Sequence, residues 1–302
     1  MKKLFLFNKM ILNTDSLFKK YSNLIALNRL SIEVEKGVVY GVLGPNGSGK
    51  TTTLGILLGV TNATSGKYSW FSSTNASSDR KKIGALLETP NFYPNLNAWD
   101  NLSITCKIKQ VPTDDIHRVA ELVGLSDRIF DKFKTYSLGM KQRLAIGAAL
   151  LGKPEVLVLD EPTNGLDPKG IVEIRNLIKS ISKQGVTILL ASHALDEVEK
   201  VCSHVCVIQK GKKITEGSVS ELVVSENLVE LSSENMDSLE KDCLSFSDTL
   251  NCKKEGAVLV IKLSENTKPI ELNKYLIKQG VVVNHFIPRK KNLEEFFLEK
   301  TK

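Results

Sequence analysis

Residues 11–40 alternate apolar and polar positions and then turn at Lys36-Gly37, which predicts antiparallel strands. The run Val38-Val39-Tyr40-Gly41-Val42-Leu43 predicts a fully buried strand, and Thr51 to Leu58 predicts a helix. From about 89 to 153 the spacing becomes helical, with Ile116, Val119, Ala120, Leu122 and Val123 on one stripe. Strand signals return at Val156-Leu157-Val158-Leu159 and Val186-Thr187-Ile188-Leu189-Leu190, with a helical segment from Lys169 to Lys183 between them. Apolar strands alternating with a helix predict a parallel sheet covered on both faces. A boundary falls near Gly217-Ser218. Short alternating segments follow at Leu228–Leu231, Val258–Leu263 and Val281–Ile287, with helical patterns at Pro269–Lys278 and Asn292–Lys300. Asn292 and Glu295 have the spacing of an N-cap and its capping partner. The pattern therefore predicts an α/β core over 11–217, opened by an antiparallel β portion and interrupted by a helical insertion at about 89–153. A small α+β domain follows over 222–302. Residues 1–10 form an N-terminal extension, and the Ser-rich stretch Ser72–Ser78 is expected to be a loop.

Composition narrows this only modestly. Hydrophobic residues are 42% and charged residues 25% of 302, as in an ordinary globular protein. The net charge of +7 comes from lysines spread along the chain, which favours solvated surface over a nucleic-acid face. The longest apolar runs fall far short of the ~20 residues a membrane-spanning helix needs. Lys2-Lys3 followed by Leu4-Phe5-Leu6-Phe7 starts like a signal peptide, but Asn8-Lys9 ends the apolar part and no cleavage site follows. The chain thus reads as cytoplasmic, with Met10 an alternative start. Five cysteines at irregular spacing do not make a disulfide framework. Cys202-Ser203-His204-Val205-Cys206 admits a metal site, but Cys206 lies in an apolar strand run, which favours buried, reduced thiols.

The chemistry starts at Gly44-Pro45-Asn46-Gly47-Ser48-Gly49-Lys50-Thr51-Thr52, a P-loop pattern between a predicted strand and a predicted helix. Gly44, Gly47 and Gly49 let the backbone approach a phosphate, successive N–H groups and the helix N-terminus cradle it, Lys50 adds a point charge, and the Thr51 hydroxyl is placed for Mg²⁺. Farther on, Val156–Leu159 ends in Asp160-Glu161. On a strand beside the P-loop strand, Asp160 would serve the metal ion and Glu161 would orient and deprotonate an attacking water. An acidic pair at an ordinary strand end is the alternative, which the preceding P-loop disfavours.

These residues carry a family resemblance. Tyr136-Ser137-Leu138-Gly139-Met140-Lys141-Gln142-Arg143 resembles the signature motif of ABC ATPases, Asn164-Gly165-Leu166-Asp167 their D-loop, and His193 in Ala191-Ser192-His193 their H-loop histidine. The likeness covers about 11–217, with the motifs in the family's order. It implies an ABC-type P-loop ATPase core that binds and hydrolyses MgATP in a head-to-tail dimer of two such domains. Ser137 and the Gly139 backbone would then donate to the γ-phosphate from the start of a helix beginning near Met140. His193 would support the γ-phosphate, and Asp167 would lie at the dimer interface. Tyr21 would stack on adenine, with Phe18 as rival stacker and a core role for Tyr21 as the alternative.

The signature departs from Leu-Ser-Gly-Gly-Gln at its first, third and fifth positions. Glu88, after Ile83-Gly84-Ala85-Leu86-Leu87, stands where the family's Q-loop has glutamine. It can still ligand Mg²⁺ but cannot donate a hydrogen bond. That glutamate, the following Thr89-Pro90-Asn91-Phe92-Tyr93 and the tail Leu293-Glu294-Glu295-Phe296-Phe297 resemble the bacitracin-resistance and lantibiotic-immunity exporter branch. The resemblance implies an exporter's ATPase subunit held on the inner face of the membrane by a separate multi-span permease, with no nucleic-acid partner. The surface from Glu88 to Trp99 would meet that permease, although Phe92 and Trp99 also suit a core. A soluble ABC ATPase acting on ribosomes or nucleic acid is the rival expectation.

Overall fold

Val39–Leu43 is buried at every position, as are Val156–Asp160 and Thr187–Ser192. Strands buried along their whole length need cover on both faces, and in a computed structural model of the chain they lie side by side at the centre of a six-stranded sheet. The structure describes residues 10–73, 76–223, 227–264, 267–289 and 293–301. The first nine residues of the predicted extension and the Asn292 cap lie outside them. The chain divides into two compact units between Val219 and Ser220.

In the first unit the order is β1 (Met10–Tyr21), β2 (Leu24–Leu30), β3 (Glu33–Glu35), β4 (Val39–Leu43), α1 (Lys50–Leu57), β5 (Ser65–Trp70), α2 (Ala76–Arg80) and β6 (Ile83–Leu86). Next come α3 (Ala98–Lys109), α4 (Asp115–Leu122), α5 (Leu138–Leu150), β7 (Val156–Asp160), α6 (Pro168–Lys183), β8 (Thr187–Ser192), α7 (Leu195–Val201), β9 (His204–Gln209) and β10 (Lys212–Ser218). Strands β2, β1 and β3 form an antiparallel sheet joined by β5 along β1. The central sheet runs β10-β9-β4-β8-β7-β6 and is parallel except for β10. Helix α6 follows the expected stripe, burying Ile174, Leu177, Ile178 and Ile181.

Helices α3 to α5 form the insertion. The C-terminal end of α5 is held by two cations: Lys109 Nζ donates to the carbonyls of Ala148, Ala149 and Leu151 at 2.9, 2.9 and 3.1 Å, and Arg118 donates to that of Leu150 at 3.1 Å. Positive charge at a helix C-terminus satisfies carbonyls the helix cannot. Burial pulls the Lys109 ammonium down to about 8.

The short helix α8 (Val219–Leu222) spans the division, and the second unit continues with β11 (Leu228–Ser232), α9 (Met236–Leu244), β12 (Thr249–Glu255), β13 (Val258–Leu263), α10 (Pro269–Lys278), β14 (His285–Arg289) and α11 (Leu293–Thr301). Its antiparallel sheet runs β12-β13-β11-β14, and α9 and α10 pack Leu239, Cys243, Leu272 and Leu276 onto it. The segment predicted as a strand over 281–287 pairs only from His285. Upstream, the Val281 N–H still closes helix α10 through the Leu276 carbonyl. The Ser-rich stretch ends in the helical turn α2 rather than in loop throughout.

Candidate functional site

Parallel β4, β8 and β7 end at one edge of the central sheet, so the residues that follow them converge there. The loop after β4 turns tightly into α1. A Cβ at Gly44 would stand 2.2 Å from the Ile208 carbonyl, and one at Gly49 would stand 2.7 Å from the Ala26 carbonyl. Pro45, Asn46 and Gly47 are exposed at the tip, Ser48 is buried beneath it, and Thr52 is half-buried on the first helical turn. Gly49 caps α1 without a side-chain acceptor, which leaves the first N–H groups of the helix as anion donors.

Lys50 Nζ donates to the Gly44 carbonyl at 2.8 Å and lies 3.4 Å from Glu161 Oε1. Glu161 Oε2 is 2.9 Å from His193 Nδ1, so the carboxylate stands between an ammonium and an imidazole. Thr51 Oγ1 donates to Asp160 Oδ2 at 2.8 Å. Burial raises the Asp160 carboxyl above its ordinary range; the Thr51 hydrogen bond opposes this, Glu161 adds to it, Lys50 opposes it and Glu88 adds to it. Asp160 Oδ1 and Ser48 Oγ are buried without a hydrogen-bond partner. A buried carboxylate with one oxygen unmatched, beside a hydroxyl, is an oxygen set that suits a hard divalent cation carrying phosphate. Glu88 is exposed just past β6, near enough for its charge to act on Asp160. Glu88 and Glu161 both take left-handed backbone, with φ of 58° and 47°.

The structure thus groups Lys50, Thr51, Asp160, Glu161 and His193. Ser137, Gly139 and Asp167 make no hydrogen bond to that group among the described residues. Helix α5 starts at Leu138, earlier than expected, with Ser137 as its N-cap accepting from Met140 N at 3.3 Å. Gly139 sits in the first turn with open space above its Cα. Asp167 caps α6 through Gly170 N at 3.0 Å. Tyr21, at 45% exposure, is not a core residue, while Phe18 is half-buried. Phe92 meets Phe133 edge-on at 5.1 Å and Trp99 lies 4.8 Å from the His117 ring, so both belong to half-buried aromatic clusters of the insertion. Cys202 and Cys206 are buried, and burial pushes the Cys206 thiol up to about 12.

Sequence reasoning missed Arg175, which grips Glu197 with two hydrogen bonds of 2.9 and 2.8 Å. The pair ties the helix after Asp167 to the helix after His193. Its members are far apart in sequence, so only the packed fold brings them to notice. Lys19 lays its ammonium over the Tyr21 ring two residues on, as period-two spacing along β1 allows.

A phosphate loop, a strand-end acid pair and a histidine just past the neighbouring strand, with an inserted helix opened by Ser-Leu-Gly, together define an ATP-binding cassette. Known proteins agree. The "ABC transporter" family profile matches residues 27–164. The bacitracin transport ATP-binding protein BcrA of Bacillus licheniformis is 37% identical over 96% of this chain and 96% of its own. The lantibiotic transport ATP-binding protein SrtF of Streptococcus pyogenes is 41% identical over 73% of this chain and 95% of its own. A nucleotide-free ATP-binding cassette from an ABC transporter superposes with a TM-score of 0.64 at 26% identity, over 69% of this chain and 91% of that one. The chain belongs to the ATP-binding proteins of ABC transporters, and its activity is ATP hydrolysis.

Proposed function

We propose that this chain is the ATPase subunit of an ABC exporter that clears membrane-active peptide antibiotics, and that it works on a separate multi-span permease. The observation that carries the reading is the Lys50–Glu161–His193 grouping beside the Thr51–Asp160 pair, in a chain similar over nearly all its length to a bacitracin transport protein. Residues 11–217 serve as the ATPase domain and 222–302 as an accessory domain. Among the described residues no helix is long and apolar enough to cross a membrane, which fits a pore supplied by another chain. Attachment to that permease would hold the subunit at the cytoplasmic face of the membrane.

In this reading Lys50 and the backbone N–H groups from Asn46 to Thr52 hold the β- and γ-phosphates, with Gly44 and Pro45 shaping the loop, and Thr51, Asp160 and Glu88 would hold Mg²⁺. That ion, when bound, would supply positive charge against the phosphates. Glu161 accepts the proton of the attacking water, and His193 keeps the carboxylate aimed. A second copy, docked head to tail, brings Ser137 and Gly139 to the γ-phosphate and Asp167 to the shared interface. Purification of the tagged chain from detergent-solubilised native membranes should recover a multi-span protein, and deletion of its gene should sensitise cells to bacitracin-like peptides. Recovery with ribosomes, or unchanged susceptibility, would remove the exporter or its cargo respectively.

Glu88 has a separate test. Glu88→Gln removes one negative charge beside Asp160, so the Mg²⁺ concentration for half-maximal ATPase should rise severalfold. An unchanged Mg²⁺ titration would strip Glu88 of any role at the metal.

A further inference from the structure

The β1–β2 hairpin stands against the phosphate loop. Ala26 and Leu27 of β2 come so close to Gly49 that a Cβ there would meet them at 2.7 and 2.8 Å. Tyr21 ends β1 on this hairpin with its ring partly open to solvent. Lys19, on the same face of β1, lays its ammonium 4.6 Å from the centroid of that ring. The ammonium is not loose: Lys19 Nζ donates to the Asn62 carbonyl at 2.7 Å. The surrounding backbone is laced to the same segment, with Lys20 N donating to Thr64 Oγ1 at 3.1 Å and Thr64 N donating to the Phe18 carbonyl at 2.8 Å. Residues 62–64 follow the turn that ends α1, the helix opened by the phosphate loop.

We propose that Lys19 is a positioning residue for the nucleotide base, holding the Tyr21 ring from behind so that its opposite face is presented for stacking. This rests on the assignment of Tyr21 to the adenine. A cation over one face of an aromatic ring is attracted by the ring's quadrupole, and anchoring that cation to a carbonyl fixes the plane of the ring. A ring already held in its stacking orientation gives up less freedom when the base arrives. The same cation draws electron density from the ring, which favours stacking by an electron-rich purine. Lys19 thereby links base recognition to the segment that ends the P-loop helix, so that base and phosphate subsites share one rigid frame.

The test uses the full chain and two ligands, MgADP and magnesium pyrophosphate, titrated calorimetrically. Pyrophosphate engages the phosphate loop but has no base. Lys19→Ala should weaken MgADP about two- to fivefold and leave pyrophosphate unchanged, and Lys19→Arg should restore MgADP. Tyr21→Ala should weaken MgADP by roughly five- to a hundredfold, and adding Lys19→Ala to it should change nothing further. Unchanged MgADP affinity in Lys19→Ala overturns the proposal. So does an equal loss for both ligands, or a full Lys19 effect without the tyrosine ring. If Tyr21→Ala leaves MgADP affinity intact, the stacking assignment fails and the proposal falls with it.

Discussion

Glutamine at position 161 is expected to cut steady-state ATP turnover by roughly 10²- to 10⁴-fold, the range a positioned general base contributes, while nucleotide still binds. The side chain of Glu161 is held on both sides, with Oε1 3.4 Å from Lys50 Nζ and Oε2 2.9 Å from His193 Nδ1. An amide is the same size and can occupy that bracket, so the phosphate loop keeps its shape. It lacks a basic oxygen and cannot take the proton of the attacking water. Hydrolysis then stalls after ATP is bound, and the ATP-bound dimer should accumulate as an earlier-eluting species in size-exclusion chromatography. Turnover within severalfold of the parent would take the proton-accepting role away from Glu161.

The substitution Asp160→Asn is expected to move activity and stability in opposite directions. ATPase should fall by about two orders of magnitude or more, because the oxygen set at Thr51 and Asp160 loses its charge and with it much of its hold on a divalent cation. The fold should gain stability at neutral pH, because a neutral amide is cheaper to bury than a carboxylate. Each kcal/mol of such a gain would raise the melting temperature by about 2–4 °C for a unit of this size. The gain arises because Asp160 is buried, and a carboxylate costs more to desolvate than the neutral amide, which can still accept the Thr51 hydrogen bond. The pH dependence has a definite sign. Burial raises this carboxyl in the folded chain, so the native protein loses stability as pH climbs through the interval between the unfolded and the raised value. The advantage of the Asp160→Asn variant over the parent should be greatest at neutral pH and shrink on acidification. Melting curves across pH, without nucleotide, check this; a variant less stable than its parent at neutral pH would contradict it.

Much of the first unit was legible because its signals are local and strong. The runs at Val39–Leu43, Val156–Asp160 and Thr187–Ser192 could be placed as buried strands from composition alone, since parallel strands covered on both faces tolerate few polar interruptions. The phosphate loop was legible because its glycines answer to backbone approach, which spacing records directly. The second unit was less so. Strand β12 carries an exposed Leu250 beside an exposed Asn251, which erases the alternation that would announce it, and α9 is short. The grip of Arg175 on Glu197 and of Lys109 on the end of α5 depends on which helices pack together, which no sequence window contains. The P-loop, Asp160 and Glu161 needed only residues and order, whereas the roles of Ser137, Gly139, Asp167 and His193 were inferred by likeness to a family.

The left-handed backbone at Glu161 and Glu88 bears on what each position tolerates. A side chain at such a position costs on the order of 1 kcal/mol that glycine would not. On backbone grounds alone, then, glycine at either position is expected to be tolerated by the fold, so loss of turnover without loss of melting temperature in a Glu161→Gly variant would isolate what the carboxylate itself contributes.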